Sequence, residues 1–398
     1  MWGVGDQRIK GEDMRRTSLS ASLLAGALLL AAPAAHAATW SDKTVADPSG
    51  ASTTALGGVG CASTSECVAA GSWDRGASPI SLVAGWNGTA WSLQTPATPS
   101  GATAHDLAAA SCSATRACTA VGSFDAGSGA RPHVQRWTGS WATQSAPAPV
   151  GATAARLSGV SCTSATACTA VGQYTDNTGT YTLALRWNGG TWSIQSTPNP
   201  VGSTYALLAG VSCDASENCV AVGASYPGGS ESLVMSRTGG TGTWTLETAP
   251  APSGAAATSL AGVSCRASGA CIAVGASTDG VTFDSAPMAL TRASGTWRLT
   301  TAPALPAGGQ GGWYSGVACA STTDCTAVGA SYDSNYAVTP LGGDYGGSTW
   351  SATTTPLPAG ALTGQLVGIS CAASRNCSAV GRYVNSSSVG RALATNYR

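Results

Sequence analysis

The fourteen cysteines of this chain are placed with a constant period along the sequence. They form seven pairs in which five residues separate the two cysteines, and successive pairs begin 50 to 54 residues apart. The pairs are Cys61 with Cys67, Cys112 with Cys118, Cys162 with Cys168, Cys213 with Cys219, Cys265 with Cys271, Cys319 with Cys325, and Cys371 with Cys377. A period of this length is typical of a propeller or a solenoid, in which each repeat packs against its neighbours.

Each repeat reads as four short strands. In the third repeat the apolar segment LSGVSC (157–162) ends at the first cysteine, and CTAVGQY (168–174) begins at the second. A variable loop leads to YTLALRW (181–187), and an NGG turn, a strong hairpin signal, leads to TWSIQSTP (191–198). No segment shows a helical period. Four strands in about fifty residues indicate one propeller blade.

The two ends of the chain distinguish a closed ring from an open array. The last repeat stops at Arg398 after three strands. The segment TWSDKTVADPSGAS (39–52) aligns without a gap with AWSLQTPATPSGAT (90–103), which includes the fourth strand of the first full repeat. The N-terminal segment is therefore expected to complete the last blade, which closes the ring and removes two sheet edges. We predict an all-β, seven-bladed β-propeller made of a single domain, residues 38–398.

The first 37 residues read as a leader that is not part of this fold. Met14 is the expected start, Arg15 and Arg16 precede an apolar run, and AHA (35–37) is a small-x-small cleavage site. The run is too short to favour a membrane span, and the paired arginines leave export by the Sec or the twin-arginine route open. We expect a secreted, extracellular protein without a membrane anchor.

The charge balance argues against two classes of partner. Lys plus Arg and Asp plus Glu each number 19, so the formal net charge is zero, and charged residues make up 10% of the chain. A neutral, charge-poor chain does not suit a nucleic-acid backbone or an anionic membrane. We therefore expect no nucleic acid among the partners, and the sequence does not specify an oligomeric state.

The cysteine pairs are predicted to be disulfides. The first two strands of each repeat form a hairpin, and the paired cysteines face each other at its mouth, within the distance that a disulfide accepts. Export would place them in oxidising surroundings, where each bridge stabilises the fold by roughly 2 kcal/mol in the chain-entropy model. Metal binding is the alternative, but zinc ligands usually come as C-x2-4-C with two further ligands.

One tryptophan opens the fourth strand of every repeat. The seven are Trp40, Trp91, Trp141, Trp192, Trp244, Trp297 and Trp350. We favour packing between twisted blades, because tryptophan buries a large area; the alternative is a ring of platforms on which sugars stack. Three repeats carry a further tryptophan at the end of strand three, and we expect it to pack beside the first. These are Trp86, Trp137 and Trp187.

A second series lies where strand two ends, with an aromatic residue in six repeats and an acid close behind in several. The aromatic residues are Trp73, Phe124, Tyr174, Tyr226, Tyr332 and Tyr383, and the acids are Asp74, Asp125, Asp176 and Asp333. They lead into the loop between strands two and three, and loops on a rigid scaffold commonly carry function. Aromatic faces with nearby carboxylates suit a sugar ring; the alternative is packing onto the next blade and turn bonding by the aspartate.

The longest loops on this face break the repeat most. They are STDGVTFDSAP (277–287) and GGQGGWYSG (308–316). A specific site is expected where a repeat is interrupted, so these loops add further candidate ligand-binding residues. The added candidates are Asp279, Phe283, Asp284, Trp313 and Tyr314.

Catalytic and cofactor motifs are scarce. Outside the leader only His105 and His133 remain, too few for a Ser/His/acid set or for most transition-metal sites. We predict no cofactor and no metal site, since DNTG (176–179) and DSN (333–335) match too few calcium-ligand positions. A glycosidase would need two aspartates that meet across the central channel. The candidates for such a pair are Asp74, Asp125, Asp279, Asp284 and Asp333.

The C-x5-C units, with AVG in strand two and W-N-G-x-x-W around the last turn, resemble a group of bacterial secreted propeller repeat proteins. The resemblance covers nearly all of residues 38–398 and implies the architecture, with no activity to transfer. Propeller lectins are similar in size, aromatic content and secretion. Galactose-oxidase-like propellers are similar in blade count, but the histidine supply here does not provide their copper site. STDGVTF (277–283) resembles the sialidase turn S-x-D-x-G-x-T-W with one residue missing, and no arginine triad is recognisable.

Three hypotheses for function remain. The first is a non-enzymatic propeller that binds an extracellular carbohydrate or cell-envelope polymer through the aromatic and aspartate series. The second is an extracellular glycan-acting enzyme, which carboxylates about 5–10 Å apart at the channel mouth would favour. The third is a protein-binding or structural scaffold, which an exposed apolar patch would favour. The fold alone supports none of the three over the others.

Overall fold

The computed structural model describes residues 38–398 with the exception of 77, 227, 267, 268, 303 and 304. The leader predicted at residues 1–37 lies outside the described residues. The strands form seven antiparallel sheets of four strands each. The first strand of every blade packs against the first strand of the next, and blade seven packs against blade one in the same way. The predicted all-β, seven-bladed propeller is therefore confirmed.

The blades follow one another in chain order. Blades one to three are β2 (Thr53–Ser63), β3 (Glu66–Asp74), β4 (Pro79–Trp86) and β5 (Trp91–Gln94); β6 (Ala104–Ala114), β7 (Ala117–Asp125), β8 (Ala130–Trp137) and β9 (Trp141–Gln144); and β10 (Ala154–Ser164), β11 (Ala167–Thr175), β12 (Thr180–Trp187) and β13 (Trp192–Gln195). Blades four and five are β14 (Ala206–Cys213), β15 (Cys219–Ser225), β16 (Glu231–Arg237) and β17 (Thr245–Glu247); and β18 (Ala255–Cys265), β19 (Cys271–Asp279), β20 (Ser285–Ala293) and β21 (Thr296–Thr300). Blade six is β22 (Gly309–Ser321), β23 (Asp324–Asp333), β24 (Val338–Tyr345) and β25 (Trp350–Thr354), and blade seven is β26 (Ala361–Ala373), β27 (Asn376–Asn385), β28 (Gly390–Tyr397) and β1 (Trp40–Asp42).

The ring closes in the way that the two chain ends predict. Strand β1 pairs with β28, and Trp40 lies opposite Tyr397 in that register. The backbone N–H of Lys43 donates to the carbonyl of Ala394 at 2.8 Å, and Arg391 forms a salt bridge of 3.1 Å with Asp47. Blade seven is thus built from both ends of the described chain.

The outer strand of each blade is shorter than the sequence pattern predicts. In blade three it ends at Gln195, whereas the pattern extends to Pro198. Proline has no backbone N–H to donate to a sheet ladder. A short outer strand also limits the exposed edge that could pair with another chain.

The predicted disulfides are present in all seven blades, and the described residues contain no free cysteine. Each links the facing cysteines of strands one and two, with Cα atoms 3.9 to 4.1 Å apart. All of them lie at the end of the blade where strand two begins, which we name the disulfide face. The opposite end, where strand two finishes, we name the loop face. Its strand-two ends are Asp74, Asp125, Thr175, Ser225, Asp279, Asp333 and Asn385.

The tryptophans of strand four hold neighbouring blades together. All seven are between 2% and 9% exposed, which confirms the packing interpretation. In five blades the indole N–H also donates to the end of strand four in the preceding blade. These bonds join Trp141 to Gln94, Trp192 to Gln144, Trp244 to Gln195, Trp297 to Glu247 and Trp40 to Thr353.

The second tryptophans also lie where the sequence predicts. Trp86, Trp137 and Trp187 pack beside the strand-four tryptophan of their own blade, with ring centroids 5.5, 5.6 and 5.7 Å apart. They lie next to the strand three to strand four turn on the disulfide face. These tryptophans of the disulfide face therefore pack against each other inside their own blades.

Candidate functional site

The central channel is lined by small and apolar residues. Each blade contributes the segment around a bulge in strand one, such as Ser158, Gly159 and Val160 in blade three, and the space enclosed is about 460 Å³. The lining contains no carboxylate from the described residues. The channel wall therefore does not supply the pair of aspartates that a glycosidase would need.

Three aspartates of the loop face accept hydrogen bonds from nearby backbone N–H groups or hydroxyls. Asp125 accepts the backbone N–H of Gly127 at 2.6 Å, and Asp176 accepts the hydroxyl of Thr178 at 2.6 Å. That hydroxyl is the main cause that lowers the pKa of Asp176 from its ordinary value. Asp74 is held in a similar way by hydroxyls of the preceding segment. The carboxylates of Asp125 and Asp176 therefore fix turns, in agreement with the turn-bonding interpretation.

Two loops of the fifth and sixth blades use this turn to present an aromatic side chain. The carboxylate of Asp279 accepts the backbone N–H groups of the residues two and three positions later, and the N–H of Phe283 donates to the Asp279 carbonyl at 3.1 Å. In blade six Asp333 accepts bonds within its loop, and the N–H of Tyr336 donates to the Asp333 carbonyl at 2.9 Å. The aspartate therefore shapes the turn, and the aromatic residue lies at its tip.

The backbone of both aromatic residues is left-handed. Phe283 has a φ of 61° and Tyr336 a φ of 59°, a region that bulky residues rarely occupy. Their side chains are 73% and 80% exposed. Such a conformation costs of the order of 1–3 kcal/mol and is frequent at ligand-binding sites. The equivalent turn of blade seven holds Ser388 at a φ of 60°, so the turn itself does not require an aromatic residue.

Further rings surround Tyr336 on blade six. Tyr332 stacks on it, with centroids 5.9 Å apart and planes inclined by 17°. The ring of Trp313 lies 6.5 Å from the ring of Tyr332. The Tyr332 hydroxyl oxygen accepts the backbone N–H of Ser285 at 3.2 Å, which ties blade six to the blade-five loop that carries Phe283. We name Phe283, Trp313, Tyr332 and Tyr336 the aromatic platform.

Blade four adds a second group of rings on the loop face. Tyr205 and Tyr226 pack edge to face at 5.1 Å, and they are 38% and 42% exposed. The backbone N–H of Tyr226 donates to the carbonyl of Tyr205 at 2.9 Å, which fixes the pair. Blades four, five and six therefore carry the most exposed rings of the described residues.

The six aromatic residues at the end of strand two occupy two different positions. Trp73, Phe124, Tyr174 and Tyr383 stand two residues after the glycine of the AVG segment or its AAG counterpart, and Tyr226 and Tyr332 stand three residues after it. In the latter two blades the earlier position is a buried serine, Ser225 or Ser331. The six residues therefore do not form one series, although their common place near the end of strand two suggests it; counting from this glycine separates them.

The earlier position is a packing position in most blades. Phe124 meets His133 edge-on at 6.0 Å, and Tyr174 packs against Tyr181 at 5.7 Å. Trp73 is partly buried against the core of blade one and lies 5.3 Å from the Arg75 guanidinium. These rings keep only part of their surface accessible.

Tyr383 differs from the other three because it lines a pocket. The pocket encloses about 260 Å³ on blade seven, and Thr363, Gln365 and Arg382 line it as well. Burial is the main cause that raises the pKa of Tyr383 above its ordinary value, and Asp47 adds to it. The lining combines the Tyr383 ring and two valines with three polar side chains.

Tyr314 is a core residue and not part of the loop-face surface. It is 1% exposed and stacks on Trp350 at 6.0 Å. In the other six blades the same position of strand one holds a buried leucine, for example Leu260 and Leu366. Aligning YSGVAC with LSGVSC gives this position, so the repeat itself contains the signal. Asp284, in contrast, is exposed in the blade-five loop.

Sequence reasoning missed Tyr336 and Tyr205, which complete the two exposed groups of rings. Neither stands at a repeated position, since Tyr336 lies inside a loop and Tyr205 precedes strand one. The signal available for Tyr336 is the DSNY segment, in which an aspartate precedes an aromatic residue at a turn. In DGVTF of blade five an aspartate also precedes an aromatic residue, four positions away instead of three.

The described residues contain no group of three or more His, Cys, Asp or Glu side chains that could hold a metal ion. Within the same part of the chain, no helix is long and apolar enough to cross a membrane.

No family model and no curated protein matches the sequence. Among solved structures, a protein of unknown function from Dyadobacter fermentans has a TM-score of 0.51 at 9% identity, with 90% of this chain and 97% of that chain covered. A GH74 xyloglucanase from Xanthomonas campestris has a TM-score of 0.48 at 13% identity over 89% of this chain and 55% of its own, so this chain spans about half its length. The Aleuria aurantia lectin, a six-bladed fungal propeller with a fucose recognition mode, has a TM-score of 0.43 at 15% identity, covering 71% and 88%. These similarities concern the fold alone.

Proposed function

We propose that this protein binds a carbohydrate or cell-envelope polymer outside the cell through its loop face, without cleaving it. The observation that carries the proposal is the pair of exposed rings, Phe283 and Tyr336, held in left-handed backbone by aspartate turns in neighbouring blades. The seven disulfides fit a protein that works in oxidising surroundings.

The chemistry of the aromatic platform suits a sugar ring. A pyranose presents C–H groups on its faces, and these pack against a flat aromatic ring while the hydroxyls stay hydrated or bonded. Phe283 and Tyr336 offer such rings with most of their surface accessible, and exposed apolar surface of this kind marks interaction sites. Tyr332 and Trp313 support Tyr336 from within the blade, so little side-chain entropy is lost on binding.

The test is binding of the purified protein to a panel of soluble and insoluble polysaccharides. Tryptophan fluorescence and pull-down report binding, and released sugar is assayed in the same samples. We expect saturable binding to at least one polysaccharide and no released sugar. Phe283→Ala and Tyr336→Ala should each weaken it about tenfold, the effect of losing roughly 1–2 kcal/mol of apolar contact.

The matched control is Leu299→Ala. Leu299 is 42% exposed on the outer strand of blade five, so the variant removes apolar surface away from the loop face. It should bind as the unmodified protein does. Released sugar would show that the protein is an enzyme, and absence of binding to every polysaccharide would favour a protein partner for the same face.

A further inference from the structure

The disulfide face departs from the repeat between blades four and five. In every blade one residue of strand three lies opposite the second cysteine, and in five blades this residue is aromatic. The seven residues in blade order are Trp86, Trp137, Trp187, Arg237, Arg292, Tyr345 and Tyr397. Arginine therefore replaces the aromatic ring in two consecutive blades.

The residue after the first cysteine departs from the repeat in the same place. It is small in most blades, but it is Asp214 in blade four and Arg266 in blade five. The fold does not require charge at this position, since Ala62 and Ala372 occupy it elsewhere. Two different positions of the repeat thus carry arginine at one interface between blades. Arg237 and Arg292 lie opposite the second cysteine, and Arg266 follows the first.

A cleft of about 250 Å³ lies at that interface, and Asp214, Arg237, Arg266 and Arg292 all line it. Arg292 is neutralised by Glu247, with N–O distances of 3.0 and 2.6 Å. The carboxylate of Asp214 accepts two backbone N–H groups and the Asn218 amide within its own hairpin. Among the described residues that line the cleft, Asp214 is the one acid, and its carboxylate is already engaged.

Arg237 and Arg266 line this cleft, and each has one buried hydrogen-bond donor without a partner among the described residues. Arg237 is 2% exposed, and both of its Nη atoms already donate to protein acceptors, among them the side chain of Gln195 and the carbonyl of Glu217. Only its Nε has no partner among the described residues. The buried Nε of Arg266 has none either, and no described carboxylate forms a salt bridge with this side chain. Burial lowers the pKa of both guanidinium groups, to about 10 for Arg237. An anion in the cleft would offset this cost.

We propose that the cleft between blades four and five binds a tetrahedral oxyanion, a phosphate or sulfate group, through Arg237 and Arg266. The guanidinium fork of Arg266 matches the oxygens of such a group, and the Nε of Arg237 adds one further donor. The site is separate from the aromatic platform, since it lies on the opposite face of the ring. It would let the protein recognise an anionic substituent while its overall charge remains near zero.

The test is calorimetric titration of the purified protein with inorganic phosphate, sulfate and acetate at one ionic strength. We expect saturable binding of phosphate or sulfate at one site per chain, with acetate weaker. Arg266→Gln should weaken binding at least about tenfold, because hydrogen bonds to charged groups are the strong ones. Arg266→Lys keeps the charge but loses the fork, so it should weaken binding about threefold or more.

The matched control is Arg375→Gln. Arg375 is exposed on the equivalent hairpin of blade seven, far from the cleft in the ring, and this variant should bind phosphate normally. Far-ultraviolet circular dichroism establishes that each variant is folded, and Arg266→Lys decides the question if Arg266→Gln does not fold. No saturable binding of any oxyanion, or equal affinity in the folded Arg266 variant and the control, would overturn the proposal.

Discussion

His133 shows how a single buried residue sets a condition on the fold. Its ring has no exposed surface. The Nδ1 atom lies 3.2 Å from the Asp106 carbonyl and Nε2 lies 2.9 Å from the Gln135 side-chain nitrogen. An amide nitrogen donates, so Nε2 must accept and the imidazole must be neutral. Protonation would place two donors against each other.

The stability of the protein should therefore fall at mildly acidic pH. Burial lowers the pKa of His133 from 6.5 to about 4, so the unfolded chain takes up a proton before the folded chain does. The contribution is complete above pH 6.5 and is lost as the pH falls toward 4. It amounts to roughly 3 kcal/mol. Urea unfolding between pH 7.5 and 4.5 measures it.

The control for this prediction is His133→Gln. Its free energy of unfolding should be lower at pH 7.5 but should vary less between pH 6.5 and 4.5. The hydrogen-bonded aspartates do not contribute in this pH range. The pKa values of Asp176 and Asp279 are lowered, so their contribution to the stability of the protein is lost only at more acidic pH. An identical pH slope in the two proteins would contradict the assignment.

At the residue scale, the sequence predicts the role of an aromatic residue that recurs in every blade better than the role of one that occurs once. The sequence predicts that the tryptophans of strand four pack between blades, because tryptophan buries a large area, and their burial confirms it. Tyr314 was misplaced because an aromatic residue in an unusual loop looked like a departure, although it stands where leucine stands in other blades. Tyr336 was missed because its exposure depends on a left-handed backbone, which sequence period does not report.

At the element scale, the AVG segment owes its glycine to a bulge in the neighbouring strand. In blade three the register shifts between Leu157 and Gly159, opposite Gly172. The bulge brings the carbonyl oxygen of Arg156 so close that a Cβ on Gly172 would lie 2.1 Å from it. The corresponding distances in the other blades are 2.0 to 2.3 Å. Glycine recurs at this position because there is no space for a Cβ, and not because the backbone needs a positive φ.

We accordingly expect Gly172→Ala to destabilise the protein strongly. A Cβ at this position must displace backbone, and overpacking of this kind costs about 1–3 kcal/mol or more. Gly346→Ala is the matched control, since a Cβ there would find its nearest neighbour at 4.0 Å. Urea unfolding should show a lower midpoint for Gly172→Ala and a nearly unchanged one for Gly346→Ala. Equal midpoints would contradict this account of the repeat.

The strands themselves could be located from sequence, whereas these bulges could not. A strand shows as alternating or continuous apolar residues between turn signals, and the predicted segments of blade three overlap β10 to β13. A bulge is a difference of one residue between two paired strands. It becomes visible only when the pairing register is known, so the sequence showed a recurrent glycine without its reason.

At the scale of the whole molecule, the repeat number and the complementary ends of the chain determined the architecture. The ligand-binding residues could not be derived in the same way, because the repeat pattern does not show which blade has exposed aromatic side chains. The aromatic platform and the arginine cleft both lie where blades four to six depart from the others. Symmetry builds the ring, and the loss of symmetry on each face marks the candidate sites.

Ring closure through a shared blade makes a final prediction about the whole chain. The backbones of Thr39 and Arg398 exchange hydrogen bonds of 2.8 and 3.1 Å, so a short turn can join them. Two circular permutants with this same linker differ only in the new ends. Opening between Gly189 and Gly190 divides blade three. Its fourth strand then lies at the new N-terminus and its first three strands at the new C-terminus, so the two ends complete one blade. Opening between Gly151 and Ala152 leaves every blade whole and holds the ring only by packing between blades two and three.

We expect the first permutant to unfold at a urea midpoint close to that of the natural order. Its two ends still share a hydrogen-bonded sheet, as β1 and β28 do. The second should unfold at lower urea and with a broader transition, because the ring can open between two complete blades without breaking a strand ladder. Both new termini lie in exposed turns, so local damage should be similar. Equal midpoints would mean that packing between blades alone holds the ring closed.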